Sequence, residues 1–313
     1  MFTSLSVVIP TYNRKDILVK ALDGYLAQSA PHLIQELLVV DDGSTDDTES
    51  AVLEYAHRAP FQVRYLKQSK KGQAAARNYG IREASCSLVL LTDSDIIPQP
   101  SLVEQHLEWH NNNPDLATAV LGYVTWSPEV KATPFMRWYG EEALFAYRRF
   151  RGKRQVECRY FYTCNLSLKT EFLRRCGLFD EDFKTYGYED MELGYRLNKE
   201  GLQLLYNRDA TAHHYQFICF EDACRKGTNA SEGLRLFEQK ESAKDWVTWH
   251  QKRAATLKFR VASLMAAGVA IAIGWSRRLP DSRVPLPPII YHCLYWYRVN
   301  FRPRKLGMLD HKQ

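Results

Sequence analysis

The sequence predicts an α/β fold in which a mixed, mostly parallel central sheet is flanked by helices. Apolar runs of strand length recur in about the first third of the chain, and segments with helical periodicity separate them. Polar residues stand at the end of three of these runs. Strands that alternate with helices are typical of parallel sheets, whose ligands bind beyond the carboxyl ends of the strands. A helical C-terminal appendage is expected to follow.

The first strand and helix lie at the start of the chain. Residues Leu5–Ile9 form an apolar, β-branched run, and we expect Pro10 to end it because proline cannot donate to a strand ladder. The next segment repeats apolar residues at helical spacing up to Ala30 and Pro31. These apolar positions are Ile17, Leu18, Ala21, Leu22, Tyr25 and Leu26.

Three further strands continue the alternation. They are predicted at Glu36–Val40, Val63–Leu66 and Leu88–Leu91. A helix capped near Ser44 follows the second strand, and a helix that begins near Gly72 follows the third. The rhythm of strand and helix is therefore established before residue 100.

Three polar clusters follow the first, second and fourth strands. The clusters are Thr11–Asn13, Asp41 with Asp42, and Asp93 with Asp95. Because the carboxyl ends of parallel strands meet at one edge of the sheet, we expect these side chains to line one crevice. The sequence therefore predicts a single binding site at this edge.

The pair Asp93 and Asp95 directly follows a strongly apolar strand. At a strand end the two carboxylates can turn toward one hard cation, and oxygen ligands suit Mg²⁺ or Mn²⁺. Such a cation could clamp a diphosphate. The alternative is a solvated turn before Pro98, because aspartate favours turns. The second acidic pair, Asp41 and Asp42, favours the metal interpretation.

A second acidic centre lies further along the chain. One more strand is predicted over Tyr160–Leu168, and a helix begins near Glu189 and Asp190. Acids in a first helical turn stabilise the positive end of the helix, which would be a purely structural role. The functional interpretation is a carboxylate base, because an acceptor hydroxyl is a poor nucleophile until a base takes its proton.

Four motifs carry a resemblance to a known family. They are Val7–Arg14, Val39–Asp46, Gly72–Asn78 and Thr92–Asp95. In this order and spacing, the chain resembles family 2 glycosyltransferases with the GT-A fold, a Rossmann-like fold for nucleotide-diphospho-sugars. The resemblance covers residues 4–216. The part from Asn165 to Asp190 is also similar to the acceptor-side half of galactosyltransferase-type enzymes.

The resemblance implies a donor site for a nucleotide-diphospho-sugar, with a UDP-sugar favoured. The residues it assigns to this donor are Pro10, Thr11, Tyr12, Asn13, Asp41, Asp42, Arg77, Asp93 and Ser94. Among them, Asp42 or its neighbour Asp41 accepts hydrogen bonds from the base or ribose, and Arg77 lies near the pyrophosphate or sugar. Asp95 holds the divalent metal, Mn²⁺ or Mg²⁺, which stabilises the departing diphosphate.

The resemblance also implies the catalytic and acceptor residues. Asp190 is the base for one direct displacement that inverts the anomeric carbon, and Glu189 orients it or binds the acceptor. The residues assigned to the acceptor are Asn165, Trp138 and Tyr188. For Trp138 the alternative is a place in the core, because aromatic residues at helical spacing are more often buried.

Two adjacent histidines, His213 and His214, occupy the place where related folds have a further metal ligand. Neighbouring residues of a strand point to opposite faces, so we expect at most one of them to reach the metal. The sequence leaves open which one does so, and a packed or solvated role is the alternative for both.

The C-terminal region, residues 217–313, is predicted to be helical and basic. Residues 252–313 contain twelve Lys and Arg but only two Asp, within a chain of net charge +6. Two apolar stretches, Val261–Trp275 and Pro287–Tyr297, are shorter than a membrane-spanning helix. We expect peripheral contact with anionic lipid, and the alternative is a helical cap or dimer contact.

Cysteine usage and the N-terminus favour a cytoplasmic location, and the basic tail would bring the protein to the cytoplasmic face of the membrane. The seven cysteines are odd in number and irregularly spaced, which predicts neither a disulfide framework nor a zinc ribbon. No signal peptide is evident at the N-terminus.

We expect a catalytic domain over residues 1–216, with a nucleotide-sugar half at 1–112 and an acceptor half at 113–216.

The combined expectation is a metal-dependent, inverting glycosyltransferase. It would transfer a sugar to a saccharide or lipid-linked acceptor in surface polysaccharide or glycoconjugate synthesis. The alternatives are a nucleotidyltransferase of sugar phosphates, which would need a Gly-rich basic loop after the first strand, and a non-catalytic carbohydrate- or membrane-binding protein. Nucleic acid is not an expected partner, because the aromatic residues of the tail do not alternate along a basic groove.

Overall fold

A computed structural model describes residues 1–184, 187–248, 279–281, 283 and 285–300 of the chain. The chain divides into two compact units. Unit 1 comprises Met1–Val130 and Tyr147–Gln216, and unit 2 comprises Lys131–Ala146 and Phe217–Gln313.

Unit 1 is organised by one eight-stranded mixed sheet. Its strands are β1 Leu5–Thr11, β2 Ile34–Asp41, β3 Gln62–Lys67, β4 Leu88–Thr92, β5 Ile96–Pro98, β6 Thr118–Trp126, β7 Asn165–Lys169 and β8 Gln203–His214. Their spatial order is β3-β2-β1-β4-β7-β6-β8-β5. The mixed, largely parallel sheet predicted from the alternation of strands and helices is confirmed.

Helices separate most of these strands along the chain. They are α1 Lys15–Leu26, α2 Thr48–Ala56, α3 Gln73–Glu83, α4 Leu102–Asn112, α5 Pro134–Trp138, α6 Thr170–Arg175, α7 Glu189–Lys199, α8 Phe220–Gln239 and α9 Pro288–Asn300. Helix α3 lies so close to the sheet that a Cβ at Gly80 would stand 2.4 Å from a methyl group of Val8. A residue without a side chain is therefore required where α3 crosses β1.

Strands β1 to β4 form the parallel part of the sheet. β1 pairs with β2 and β4, and β2 pairs with β3, all in parallel. The prediction that Pro10 ends the first strand is wrong, because β1 continues through Pro10 to Thr11. β4 pairs with β1 only from Ser6 to Val8, so Pro10 is in register with a single partner strand, where a missing N–H is tolerated.

The parallel part of the sheet ends at strand β7. This strand runs antiparallel to both β4 and β6, while β6 and β8 are parallel to each other. β7 begins at Asn165, so the strand predicted from Tyr160 is shorter than expected and a 3₁₀ turn occupies Cys158–Tyr160. The register of β6 on β8 shifts between Gly122 and Tyr123. This irregularity changes the direction in which the last side chains of β8 point.

A buried polar network joins one face of β7 to α4. Its members are His106, His110, Asn165, Ser167 and Lys169, and each is at most 3% exposed. Burial lowers the pKa of His106 to about 4 and that of His110 to about 2, so both imidazoles are neutral at pH 7. Burial also lowers the pKa of Lys169 to about 8.

The hydrogen bonds of this β7–α4 network admit one arrangement of protons. The Asn165 amide nitrogen donates to the Ala210 carbonyl at 2.9 Å, so the His106 Nε2 must donate to Asn165 Oδ1, also at 2.9 Å. The neutral ring therefore accepts at Nδ1 from Ser167 Oγ at 2.7 Å. Ser167 in turn accepts from His110 Nε2 at 2.9 Å, which leaves His110 Nδ1 to accept from Lys169.

Unit 2 has an aromatic core of its own. Trp138 on α5 is 8% exposed and stacks on Tyr291 of α9, with ring centroids 5.6 Å apart. Phe135 packs against Phe220 at the start of α8, and Arg298 of α9 forms an ion pair with Glu221. Within unit 2 Trp138 is therefore a core residue.

Most of the basic tail falls outside the described residues, including the predicted apolar stretch Val261–Trp275. The second predicted stretch, Pro287–Tyr297, overlaps α9 and is helical as expected. In the part of the chain that the structure describes, no helix is long and apolar enough to cross a membrane.

The directional network yields a prediction for Ser167→Ala. The substitution leaves one buried acceptor on His106 and one buried donor on His110 without a partner, which costs about 2–5 kcal/mol of unfolding free energy. Urea unfolding at pH 7.5 measures it. Ser87→Ala, which changes an exposed serine just before β4, is the matched control and should cost at most about 0.5 kcal/mol. Equal effects of the two substitutions would contradict the assigned network.

Candidate active site

The carboxyl ends of β1 and β2 are held together by short polar loops. Asn13 has a left-handed backbone with φ of 49°, which asparagine tolerates better than most residues. Its N–H donates to Ser44 Oγ and its Oδ1 accepts from Thr45 N–H, both at 2.8 Å. The first two predicted polar clusters therefore meet at one edge of the sheet.

The acidic pair after β2 is used to shape the neighbouring loops. Asp41 is 1% exposed and accepts hydrogen bonds from Ser44 N–H and the Tyr65 hydroxyl. Asp42 accepts from the N–H groups of Lys71 and Gly72, at 2.7 and 2.8 Å. Both carboxylates thus fix the walls of the crevice, and their predicted contact with a base or ribose stays a prediction.

Tyr12 presents its ring at the surface of this edge. The residue is 38% exposed, and the Lys70 ammonium lies 4.0 Å from the ring centroid. Thr11 next to it is buried, and its Oγ1 has no hydrogen-bond partner among the residues described. The end of β1 therefore carries a buried hydroxyl next to an exposed aromatic ring, and Lys70 brings a cation close to that ring in space.

Arg77 of α3 links the end of β4 to the start of α7. Its side chain is 2% exposed, and its two terminal nitrogens donate to Asp93 Oδ1 at 2.8 Å and to Glu189 Oε1 at 3.1 Å. Gln73, one turn earlier on α3, donates to the same Asp93 oxygen at 3.0 Å. The predicted donor carboxylate and the second acidic centre are thus joined by one buried guanidinium.

The protonation of Glu189 follows from this burial. Burial, helped by the neighbouring Asp190, raises the pKa of Glu189 to about 8, although Arg77 acts in the opposite direction. Burial also raises the pKa of Asp93. Glu189 is therefore expected to carry a proton at neutral pH, which leaves Arg77 as the counter-ion of Asp93.

Asp190 lies beside Glu189 and contacts the segment just before β7. It accepts hydrogen bonds from Thr163 Oγ1 at 3.1 Å and from Thr163 N–H at 3.3 Å. Tyr188 directly before α7 has a left-handed φ of 74°. The Gly187 N–H donates to Glu189 Oε2 at 3.1 Å. Both acids at the start of α7 are therefore held by hydrogen bonds, Glu189 by Gly187 and Asp190 by Thr163.

Asp95 lies close to the side chains of both Arg14 and His214. Its Oδ2 accepts from Arg14 Nη1 at 2.8 Å, and His214 Nε2 lies 3.4 Å from the same oxygen. The His214 ring stacks on Trp126 with a centroid distance of 5.2 Å and an interplanar angle of 12°. His213 instead lies 3.0 Å from Gln99, as expected for the opposite face of the strand.

Three predicted residues are not part of this cluster. Asn165 uses its amide inside the sheet, where it bonds to His106 and to the Ala210 carbonyl. Trp138 belongs to the core of unit 2. Ser94 is buried in the turn between β4 and β5. Acceptor binding by Asn165 and Trp138, and donor binding by Ser94, stay predictions.

Sequence reasoning missed four residues of the cluster: Arg14, Gln73, Trp126 and Thr163. Arg14 was next to the recognised polar loop, and Gln73 lies on the face of α3 that carries Arg77, one turn away. Those two positions could have been found from helical and loop spacing. Trp126 and Thr163 depend on strand register over long distances and left no local signal.

A preformed metal centre is not present in the residues that the structure describes, since no three His, Cys, Asp or Glu side chains converge for one. Asp95 and His214 nevertheless point at each other from β4's end and β8, one carboxylate and one imidazole. This donor pair suits Mn²⁺ when oxygen atoms of a ligand and water complete the coordination.

The raised pKa of Glu189 predicts a pH-dependent stability. A carboxyl that keeps its proton in the folded state up to about pH 8 stabilises the fold most below about pH 4.5, and this contribution is lost as the pH rises toward 8. Glu189→Gln should therefore gain up to about 2–3 kcal/mol on the wild type between pH 5.5 and 7.5, measured by urea unfolding. Glu171→Gln, on an exposed glutamate of α6, should show no such gain. A pH-independent difference for Glu189→Gln would contradict the buried protonated state.

Comparison with known proteins extends the geometry to a family. The model for glycosyl transferase family 2 matches residues 6–176. Validoxylamine A glucosyltransferase of Streptomyces hygroscopicus subsp. limoneus is 34% identical over 230 residues, which are 66% of this chain and 50% of that protein. Chondroitin synthase of Escherichia coli is 27% identical over 267 residues, 75% of this chain and 38% of the synthase. The chain thus spans half or less of the length of these two curated relatives.

Solved structures show the same fold. A mannosyltransferase from Pyrobaculum calidifontis, in complex with GDP-Man and Mn²⁺, superposes with a TM-score of 0.65 at 19% identity, over 98% of this chain and 88% of the other. Residues 1–349 of S. aureus TarS, in complex with UDP-GlcNAc, give a TM-score of 0.55 at 16% identity over 99% of this chain and 76% of the other. The predicted GT-A-like fold is confirmed. Because the family model covers more than half of the sequence, the chain belongs to glycosyl transferase family 2.

Proposed function

We propose that the chain transfers a sugar from a nucleotide-diphospho-sugar to an acceptor hydroxyl with inversion at the anomeric carbon. One observation carries this proposal: Arg77 joins Asp93 at the end of β4 to the acidic pair at the start of α7. A donor-side carboxylate and a candidate base are thereby held at a common centre. Such a transfer needs these two kinds of group side by side.

The donor nucleotide is proposed to lie on the loops after β1 and β2. Tyr12 offers an exposed ring for the base. Lys70 above the Tyr12 ring places positive charge where the phosphates of a nucleotide would enter. The mannosyltransferase and TarS neighbours are complexes with GDP-Man and UDP-GlcNAc, which supports a nucleotide-sugar as the proposed donor class and leaves the nucleotide open between UDP and GDP.

Asp95 and His214 are the residues proposed to hold a divalent cation, Mn²⁺ or Mg²⁺. The cation would stabilise the negative charge that grows on the diphosphate as the sugar leaves. The neighbour from Pyrobaculum calidifontis contains Mn²⁺, which supports this class of cofactor. Asp93 would contact the sugar or ribose, and Arg77 and Gln73 fix its carboxylate in place.

Asp190 is proposed as the base that takes the proton of the acceptor hydroxyl. Thr163 donates to one of its oxygens, which orients the carboxylate without neutralising it. Glu189, with its raised pKa, is the protonated neighbour and therefore leaves the base role to Asp190. A single attack from the side opposite the leaving group gives inversion.

The acceptor is proposed to be a saccharide or lipid-linked saccharide. Two relatives are named chondroitin synthase and hyaluronan synthase, and another is named validoxylamine A glucosyltransferase. These names support a carbohydrate-type acceptor and surface polysaccharide synthesis as the setting. We also propose a cytoplasmic location, at the membrane face when the basic residues of 252–313 contact anionic lipid.

The predicted alternatives are weaker for stated reasons. A nucleotidyltransferase would need a Gly-rich basic loop after β1, whereas this chain has Pro10–Asn13 there. A binding protein without activity would have no need for a carboxylate held by Thr163 at the start of α7. Family membership also favours transfer of a sugar.

Asp190→Asn should lower kcat by about 10²–10⁴-fold, because it removes the base while the donor loops stay intact. Turnover is measured against a panel of UDP- and GDP-sugars with saccharide acceptors, and donor binding by calorimetry should change little. Asp209→Asn, on an exposed aspartate of β8, is the matched control. Retained turnover by Asp190→Asn would remove Asp190 from the base role.

Asp95→Ala should weaken Mn²⁺-dependent binding of UDP or GDP by at least about tenfold, because one of two protein ligands is lost. Calorimetry with Mn²⁺ and with EDTA measures the metal-dependent part. Asp16→Ala, on a fully exposed side chain of α1, should leave the affinity unchanged. Wild-type binding that is equally strong in EDTA would contradict the metal site.

A further inference from the structure

We propose that Arg14 is an internal counter-ion for Asp95 that gives up its place when a divalent cation binds. The inference rests on the proposed function, because it assumes that Asp95 is a metal ligand. It adds a residue that neither the predicted site nor the family comparison assigns, and it gives that residue a role in coupling the metal to the donor.

The first step is that Arg14 and the expected cation share one oxygen atom. Arg14 Nη1 lies 2.8 Å from Asp95 Oδ2, and His214 Nε2 lies 3.4 Å from the same Oδ2. A metal ion bound by Asp95 and His214 would therefore stand where the guanidinium now bonds. Two positive charges at one largely buried carboxylate repel strongly, so one of them must leave.

The second step is that Arg14 is the partner able to move. Its side chain is 42% exposed, whereas that of Asp95 is 9% exposed. Arg14 stands at the N-cap of α1, and its side chain donates a hydrogen bond to Asp95. Release of Arg14 therefore needs a side-chain rotation and no change in the sheet.

The third step is that Asp95 and His214 are fixed. The Asp95 carbonyl accepts from Tyr215 N–H at 2.8 Å, and the neighbouring Ile96 pairs with His214 across β5 and β8. Stacking on Trp126 sets the plane of the His214 ring. The pair is preorganised for a cation, and Arg14 keeps the buried carboxylate neutralised until the cation arrives.

The released Arg14 guanidinium has a second anionic partner when a nucleotide is bound. Arg14 directly follows the loop Thr11–Asn13, on which the donor nucleotide is proposed to lie. A diphosphate bound there would offer Arg14 new anionic oxygens, which planar guanidinium groups bind well. Metal binding without nucleotide thus breaks an ion pair with no compensation, whereas binding together with nucleotide replaces it. We therefore expect metal and nucleotide to bind cooperatively through Arg14.

The test measures Mn²⁺ affinity by electron paramagnetic resonance or calorimetry, independently of activity. In the absence of nucleotide, Arg14→Ala should bind Mn²⁺ about tenfold more tightly than the wild type, because no ion pair has to be broken. Lys15→Ala is the matched control: it removes the same charge from the adjacent residue, whose ammonium pairs with Asp47. Its Mn²⁺ affinity should change by less than about twofold.

The second arm adds saturating UDP or, in parallel, GDP. The tenfold advantage of Arg14→Ala should then disappear or reverse, since the wild-type guanidinium now binds the diphosphate. Arg14→Lys keeps the charge on a shorter side chain and should lie between the two. A thermal melt without metal checks that each variant is folded.

The outcomes separate the inference from the proposed function. Equal Mn²⁺ affinities for Arg14→Ala and wild type, or equal gains for Arg14→Ala and Lys15→Ala, overturn the counter-ion role and leave the proposed metal site standing. An advantage of Arg14→Ala that persists unchanged with UDP and GDP overturns the coupling. Absence of Mn²⁺ binding in every variant overturns both the inference and the proposed metal site.

Discussion

The buried charge of Arg77 is the constraint on which the rest of the site depends. A guanidinium cannot lose its proton, so at 2% exposure it must be neutralised by nearby carboxylates. Asp93 does this, while the protonated Glu189, 112 residues away from Arg77 in sequence, accepts a hydrogen bond from the same guanidinium. Arg77 of α3 therefore connects the carboxyl end of β4 to the start of α7. A packed apolar residue at position 77 would fill the space but would leave Asp93 without its counter-ion and Glu189 without this hydrogen-bond donor.

The single positive charge of Arg77 cannot neutralise all four acids of the cluster. Two of these acids are neutralised in other ways. The four acids are Asp93, Asp95, Glu189 and Asp190. Glu189 keeps its proton, because burial raises its pKa to about 8. Asp95 pairs with Arg14, which is half-exposed and can leave. Glu189 is thus neutralised by its own proton, Asp93 by the buried Arg77 and Asp95 by the more exposed Arg14, while Asp190 keeps its charge. A divalent cation can enter at Asp95 without disturbing the buried bridge.

The sequence predicted the carboxyl ends of β2 and β4 to within one residue, but it did not predict the contacts between distant strands. Apolar runs that stop at acids are local signals, so Asp93 and Asp95 could be placed at a sheet edge from their neighbours alone. The choice between His213 and His214 depends on the shift in the β6–β8 register at Gly122, and only the folded sheet shows that His214 faces Asp95. Thr163 and Trp126 were missed for the same reason: their partners are set by non-local pairing, which residue periodicity does not encode.

The β7–α4 network explains how such a non-local register is secured. Asn165, Ser167 and Lys169 alternate with Leu166 and Leu168 along β7, so a slip by one residue would turn three polar groups away from their partners. The directional hydrogen bonds through His106 and His110 make that slip costly, because each displaced group would be buried and unpaired. Thr163, two residues before β7, orients Asp190. The polar face of β7 therefore fixes the position of the proposed base, although none of its members touches that base.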